Sequence, residues 1–309
     1  MAAGASLPQL DGRTFITDGG METTLIFREG LELPDFASFV LLDDPEGLGA
    51  LRGYYAAYVA IAERQGVGIV LDTPTWRANP DWGARLGYPT EALDDVNRRG
   101  VALLEEVRTK AGGAVEMLIS GCIGPRGDGY VVGEAMSPSE AQAYHSAQVS
   151  TFARTNADLV SALTLTYADE ATGIARAAAE ADIPSVISFT VETDGRLPSG
   201  QKLRDAVAEV DAATDEAPAY YMVNCAHPTH FEGVLSDGGL ERVRGLRANA
   251  STMSHAELDE AEDLDQGDPD DLAERYRALR PLMPGLNVIG GCCGTDERHI
   301  EKICAAWAV

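Results

Sequence analysis

An eightfold repetition constrains the fold of this chain more than any other feature. Each repeat is a short apolar run ending in Gly, Thr, Asn or Cys, followed by an amphipathic helical stretch. The apolar runs are 15–19 (FITDG), 68–75 (GIVLDTPT), 116–124 (EMLISGCIG), 157–166 (ADLVSALTLT), 184–192, 217–226 (APAYYMVNCA), 243–250 (VRGLRANA) and 286–294 (LNVIGGCCG). The helical stretches lie within 45–65, near 90–110, and at 139–155, 169–181 and 202–213. A shorter one starts near Pro228, and the last two span 270–282 and 296–306. Ser137-Pro138-Ser139-Glu140 is a strong helix start, with a Ser cap and an early acid. Eight strand–helix units in 309 residues is the count of a (β/α)8 barrel. The runs are nearly continuous in apolar residues, as parallel strands covered on both faces require. An open doubly wound sheet is the competitor. It would carry a glycine-rich turn after the first strand, whereas Gly19-Gly20 is followed by Met-Glu-Thr-Thr. No Pro/Gly/Ser linker divides the chain, so residues 1–309 read as one α/β domain. Two segments fit less well. Residues 76–88 form a long aromatic, Arg-bearing loop. Residues 256–271 carry nine acids in sixteen positions, the pattern of a solvated loop.

Charge narrows the partners. Lys and Arg number 24 against 49 Asp and Glu, a net charge of −25. Nucleic acid and anionic membrane surfaces need the opposite sign. No apolar run approaches the ~20 residues that span a bilayer. Residues 1–10 lack the basic and apolar regions of a secretory signal. The expected setting is therefore cytoplasmic and reducing, with small molecules as partners and a homo-oligomer left open. In that setting five cysteines read as metal ligands, catalytic groups or buried fillers. Gly-x-Ser-x-Gly, Walker and HExxH patterns are missing from the sequence, which lowers serine hydrolase, P-loop and zincin readings.

In such a barrel the active site forms at the C-terminal ends of the strands. That rule selects Asp18, Thr73, Thr75, Cys122, Thr164, Thr166, Thr190, Glu192, Asn224, Cys225, Asn249, Cys292 and Cys293. A single strand separates the sixth from the eighth, so Cys225 can approach Cys292 and Cys293. Three converging thiols fit a zinc site with one coordination position open, the arrangement of catalytic zinc. Adjacent cysteines on a regular strand point to opposite faces, and Gly290, Gly291 and Gly294 are expected to free the backbone there. Metal binding is favoured over core packing and over a strained vicinal disulfide. Cys304 reads as core, and Cys122 stays ambiguous. Of the histidines, His227 reads as a pocket group and His230 as a surface helix residue. His145, His255 and His299 read as helix or loop positions.

Several stretches resemble the homocysteine S-methyltransferase family. They are GGCCGT at 290–295, Asn224-Cys225 after an apolar strand, and TDGGMETTL at 17–25. LDTPTWRAN at 71–79, GCIGPRGDGY at 121–130 and SFTVETDGRLPSG at 188–200 agree as well. The resemblance implies a barrel binding one Zn2+ through Cys225, Cys292 and Cys293, with a substrate thiol in the fourth position. It implies methyl transfer from a sulfonium or betaine-type donor to a thiol such as homocysteine, giving methionine. Only the thiolate is a good nucleophile, and coordination deprotonates it. The resemblance places Asp18 near the substrate's amino group and the N–H groups of Gly19 and Gly20 near its carboxylate. Thr75, Thr164, Glu192, Asn224 and Asn249 are the further candidates for substrate binding. One departure stands out. The family commonly carries a Glu on strand 4, where this chain reads Leu163-Thr164-Leu165-Thr166. A different thiol, or compensation by Glu192 or Glu22, is the expected consequence. Trp76, Trp82, Tyr88 and Tyr130 are candidates to meet a cationic donor through their ring faces, and Arg77 to meet a donor carboxylate. Two other readings remain: a metal-dependent lyase or hydrolase, and a family member that binds zinc and thiol without transferring methyl.

Overall fold

The computed structural model describes residues 7–261 and 263–307. Eight parallel strands close a barrel in chain order. They are β1 (Phe15–Ile16), β2 (Gly68–Asp72), β3 (Met117–Ile123), β4 (Leu159–Leu165), β5 (Ser185–Phe189), β6 (Tyr220–Asn224), β7 (Val243–Ala248) and β8 (Val288–Gly291). β1 pairs with both β2 and β8, which closes the ring. The helices are α1 (Met21–Phe27), α2 (Pro45–Gln65), α3 (Pro80–Leu86), α4 (Thr90–Ala111), α5 (Pro138–Ala153) and α6 (Ala168–Glu180). They continue with α7 (Leu203–Thr214), α8 (Pro228–Phe231), α9 (His255–Glu260), α10 (Pro269–Leu279) and α11 (Glu297–Trp307). The expected single (β/α)8 barrel is therefore observed.

Each strand is shorter than the apolar run that announced it. The last residues of each run lie past the strand end and form the rim, some of them still bonded to the neighbouring strand, as Thr73 N–H is to the Ser120 carbonyl at 2.9 Å. α2 begins and ends as its pattern predicts, because Asp44 accepts from the Gly47 N–H at 2.8 Å and Gly66 closes the helix with φ +66°. α5 starts at the expected Ser137 capping box. The short helices α1, α3 and α9 are not visible as periodic patterns, since one or two turns carry too few repeats. α3 replaces the expected loop over 76–88. Its signals are local: an Asn79 cap, Pro80 at the first turn and Gly87 at the end.

Alternating strand residues fill two layers. Phe15, Val70, Leu118, Leu159, Val186, Tyr220, Met222 and Val288 pack inside the barrel with Leu7. The opposite faces, with Ile16, Ile69, Leu71, Ile119, Val160, Ile187, Tyr221, Val223 and Ile289, join the helices in the larger outer core. The turn Pro8–Asp11 covers the N-terminal end. Gln9 is fully buried there and its Nε2 reaches Tyr220 Oη at 3.3 Å. Asn287 Nδ2 donates to the carbonyls of Gln9 and Arg13 at 2.6 and 2.7 Å. The base is thus sealed by apolar packing and hydrogen bonds, and polar chemistry collects at the other end. No helix among the described residues is long and apolar enough to cross a membrane.

Candidate active site

Cys225, Cys292 and Cys293 meet at the C-terminal mouth. Their sulfurs all lie within 4.8 Å of one another, the one such group of potential metal ligands among the described residues. Cys225 Sγ is 2.9 Å from Cys292 Sγ and 3.5 Å from Cys293 Sγ. In a tetrahedral zinc site with Zn–S of about 2.3 Å, neighbouring sulfurs stand about 3.8 Å apart. One spacing is close to that value and the other opens by under about 1 Å on loading. The donor set and its spacing therefore fit a thiophilic ion. Cys292 is held well below the usual thiol range. Hydrogen bonds from Cys225 and then Cys293 are the main causes, and Arg247 and Asn224 add to them. The same contacts, with burial, push Cys225 up.

Backbone geometry aims these sulfurs. Cys225 follows β6 with φ +56°, a left-handed conformation that few side-chain-bearing residues adopt. Cys292 and Cys293 lie beyond the end of β8, in the turn closed by Gly294 at φ +77°. Gly290 and Gly291 do not supply the expected backbone freedom. Both remain in β8 and are required for clearance. A Cβ on Gly290 would collide with the Thr17 side chain, and one on Gly291 with Thr295. Gly290→Ala is accordingly expected to displace the β8 turn and weaken metal binding by roughly 10-fold or more, as loss of a supporting contact does. Metal titration against a chelator checks this, and wild-type affinity in the variant would remove the clearance argument.

Asn224 links strands 4 and 6. Its Oδ1 accepts from the Thr164 N–H at 2.8 Å and from Ser188 Oγ at 2.6 Å. Its Nδ2 donates to Thr164 Oγ1 at 2.8 Å and lies 3.9 Å from Cys292 Sγ. Thr164 also has positive φ, +62°, at an irregularity in β4. His255 belongs to the site, which its sequence context does not reveal. Its Nε2 reaches the Cys225 carbonyl at 2.7 Å and its Nδ1 reaches Glu192 Oε1 at 3.1 Å. Tyr130 stacks on His255 with ring centroids 4.1 Å apart. The Tyr130 hydroxyl lies 3.6 Å from Cys225 Sγ and 3.5 Å from Cys293 Sγ.

Arg247 is the second residue that the sequence reading missed. It comes from β7, is 5% exposed, and forms ion pairs with both Asp18 and Asp72. Its Nε donates to the Gly291 carbonyl at 3.2 Å, one residue before the cysteine pair. Tyr54 Oη lies 3.1 Å from Asp18 Oδ2 and 3.0 Å from the Gly19 carbonyl. Burial raises the Asp18 carboxyl to about 7 against the pull of Arg247. Asp18, which the resemblance set near a substrate ammonium, thus already has a guanidinium and a phenol hydroxyl as partners. An arginine inside an apolar strand run, and an aspartate ending another, were the available signals.

The other candidates are placed as follows. The Gly20 N–H is used by the Thr295 carbonyl at 3.0 Å, and the Gly19 carbonyl faces Tyr54 and Arg247. Thr75 is fully buried and its hydroxyl donates to the Cys122 carbonyl at 2.8 Å, so it stands outside the thiol cluster. Asn249 is buried with its Oδ1 unpartnered. Glu22 accepts from Ser38 Oγ at 2.8 Å. Cys122 is buried in β3 and burial pushes its thiol up, while Cys304 packs in the outer core. His230 is a buried residue, not a surface one, because its Nε2 reaches the Thr252 carbonyl at 2.9 Å. His227 caps α8 and burial lowers it to about 4, which keeps it neutral. Arg77 lies over the rings of Trp76 and Trp82, at 4.1 and 3.7 Å. Tyr88 packs edge-on against Phe39 and hydrogen-bonds Asp43.

A closed barrel with three thiols gathered at its mouth defines a class of barrel enzyme built for sulfur chemistry. The family description "Homocysteine S-methyltransferase" matches residues 15–307. The chain belongs to this family and is a methyltransferase. Solved structures of the Escherichia coli homocysteine methyltransferase MmuM show the same fold. The metallated form is 23% identical over 96% of this chain and 98% of that chain, with a TM-score of 0.75. The oxidized form is 24% identical over 94% and 95%, with a TM-score of 0.74. No curated protein matches the chain.

Proposed function

We propose that the protein transfers a methyl group from a sulfonium or betaine-type donor to a small thiol, using Zn2+ held by Cys225, Cys292 and Cys293. Homocysteine, giving methionine, is the thiol to test first. The observation that carries this reading is the convergence of three sulfurs at the mouth of the barrel. The E. coli protein of the same fold has been solved in a metallated form. A bound zinc ion supplies Lewis acidity that keeps an incoming thiol deprotonated near neutral pH.

The chain's own residues prepare this chemistry. Arg247 and Asn224 favour the thiolate of Cys292. His255 fixes the strained Cys225 backbone by bonding its carbonyl. Tyr130 places its hydroxyl against Cys225 and Cys293, where it can hydrogen-bond their sulfurs. The substrate sulfur then attacks the donor methyl carbon in line. The donor's C–S or C–N bond breaks, and its electron pair leaves with the neutral thioether or amine. The thiol proton passes to solvent. The enzyme's share is alignment and activation.

Leu163-Thr164-Leu165-Thr166 stands where the family commonly carries an acid, and Asp18 is paired with Arg247. These two observations favour a second reading, binding without transfer or transfer to a different thiol. Purified protein loaded with zinc, incubated with homocysteine or simpler thiols and a panel of sulfonium and betaine donors, separates the readings. Methylated thiol formed in proportion to bound zinc is the expected result. Stoichiometric zinc with no transfer to any thiol, or transfer to simpler thiols and not to homocysteine, establishes the second reading.

A further inference from the structure

We propose that Arg77 is the receptor for the carboxylate of the methyl donor. The inference rests on the methyltransferase reading above and names one chemical feature of its donor.

Arg77 is 8% exposed and has no carboxylate partner among the described residues. That is unusual in a chain whose arginines are mostly paired with acids, even buried Arg247 and half-exposed Arg28, Arg52 and Arg126. Its guanidinium is clamped between Trp76 and Trp82. Its Nη1 donates to the Gly127 carbonyl at 3.0 Å, its buried Nε has no partner, and its Nη2 makes no hydrogen bond within the described residues. A buried charge without a counter-charge is costly, and burial already lowers this guanidinium to about 10. Asp128, Glu22 and Asp35 attract it only from beyond ion-pair distance, and Arg85 opposes them. A ligand anion would complete the site with a charge-assisted bond.

Position points to the donor. The neighbouring Trp76 indole donates to the Leu163 carbonyl at 3.3 Å, next to Thr164, which bonds Asn224 beside Cys292. Gly127, which accepts from Arg77, lies three residues before Tyr130, whose hydroxyl reaches the sulfurs. Arg77 therefore belongs to the wall of the same mouth, on the β2 side, while the sulfurs sit between β6 and β8. A donor with a cationic methyl-bearing atom and a carboxylate is drawn both ways. Its cation faces the thiolate cluster, and its anion needs a cation at the opposite wall. Arg247 is already held by two aspartates, which leaves Arg77. The tryptophans serve that guanidinium, with one ring face each committed to it.

The test compares Arg77→Gln and Arg77→Lys with the wild type, using S-methylmethionine and its carboxamide as donors. For Arg77→Gln, the KM of the carboxylate donor is expected to rise roughly 10- to 100-fold, the usual cost of a lost charged hydrogen bond, with little change for the carboxamide. Arg77→Lys is expected to recover part of the loss. An equal rise for both donors, or a rise in the KM of the thiol alone, overturns the proposal. Calorimetric binding of S-methylmethionine to zinc-loaded protein provides a readout without turnover. If the wild type transfers no methyl group, the methyltransferase chemistry fails. The donor-site assignment then still stands or falls on whether Arg77→Gln abolishes binding of the carboxylate form selectively.

Discussion

Arg247→Met is expected to destabilise the protein by about 3–5 kcal/mol, the range found when one partner of a buried ion pair is removed. The guanidinium holds Asp18 and Asp72 together and bonds the Gly291 carbonyl. Methionine fills much of the same volume but leaves two carboxylates facing each other in a dry interior. One of them, Asp18, is 1% exposed. Urea unfolding with an unchanged m value is the appropriate measurement, since the change is then one of stability rather than compactness. Adding Asp18→Asn and Asp72→Asn to Arg247→Met removes the stranded charges and is expected to recover most of the loss. A single variant within about 1 kcal/mol of wild type would show that the triad is solvated and carries no such weight.

Cys292→Ala is expected to lower zinc affinity by more than the roughly 10- to 100-fold that follows loss of a supporting residue. Methyl transfer falls to background with it. Removing Cys292 takes away one of the three gathered sulfurs, the one most readily held as thiolate. Cys225→Ala and Cys293→Ala are expected to behave alike. Asn224→Ala belongs in the 10- to 100-fold range, because it only orients and polarises Cys292. Competition with a chromophoric chelator measures each variant. Cys304→Ala provides the control, since that thiol packs against the outer core. Unchanged zinc binding in all three mouth variants would remove the metal assignment.

The barrel was legible because eight apolar runs and their helices repeat at a length that packing demands. The rim rule then collected the three cysteines and Asn224 from strand ends alone. What stayed hidden has a common physical cause. His255 lies 30 residues from Cys225 in sequence, and only the path of the chain after β7 brings its ring under the Cys225 carbonyl. Arg247 sits in a run that reads as strand, and strand periodicity gives the face of a side chain without naming its partners. Gly290 and Gly291 read as flexible points, whereas their function is to leave room for Thr17 and Thr295. Residue type predicted a glycine's freedom, and the neighbours decided its use. His230 looked like a surface helix position because α8 is too short to show which side it buries.

The clamp around Arg77 also divides the chain's intrinsic fluorophores. The sequence contains three tryptophans. Trp76 and Trp82 sandwich one cation at the mouth, and Trp307 lies at the end of the last helix beside Arg280. Two emitters therefore share Arg77 on the wall of the mouth, with Arg85 also over Trp82, while the third belongs to a separate site beside Arg280. Without any label, the ultraviolet emission of the protein contains one component tied to the electrostatics of the mouth and another that can act as its internal reference.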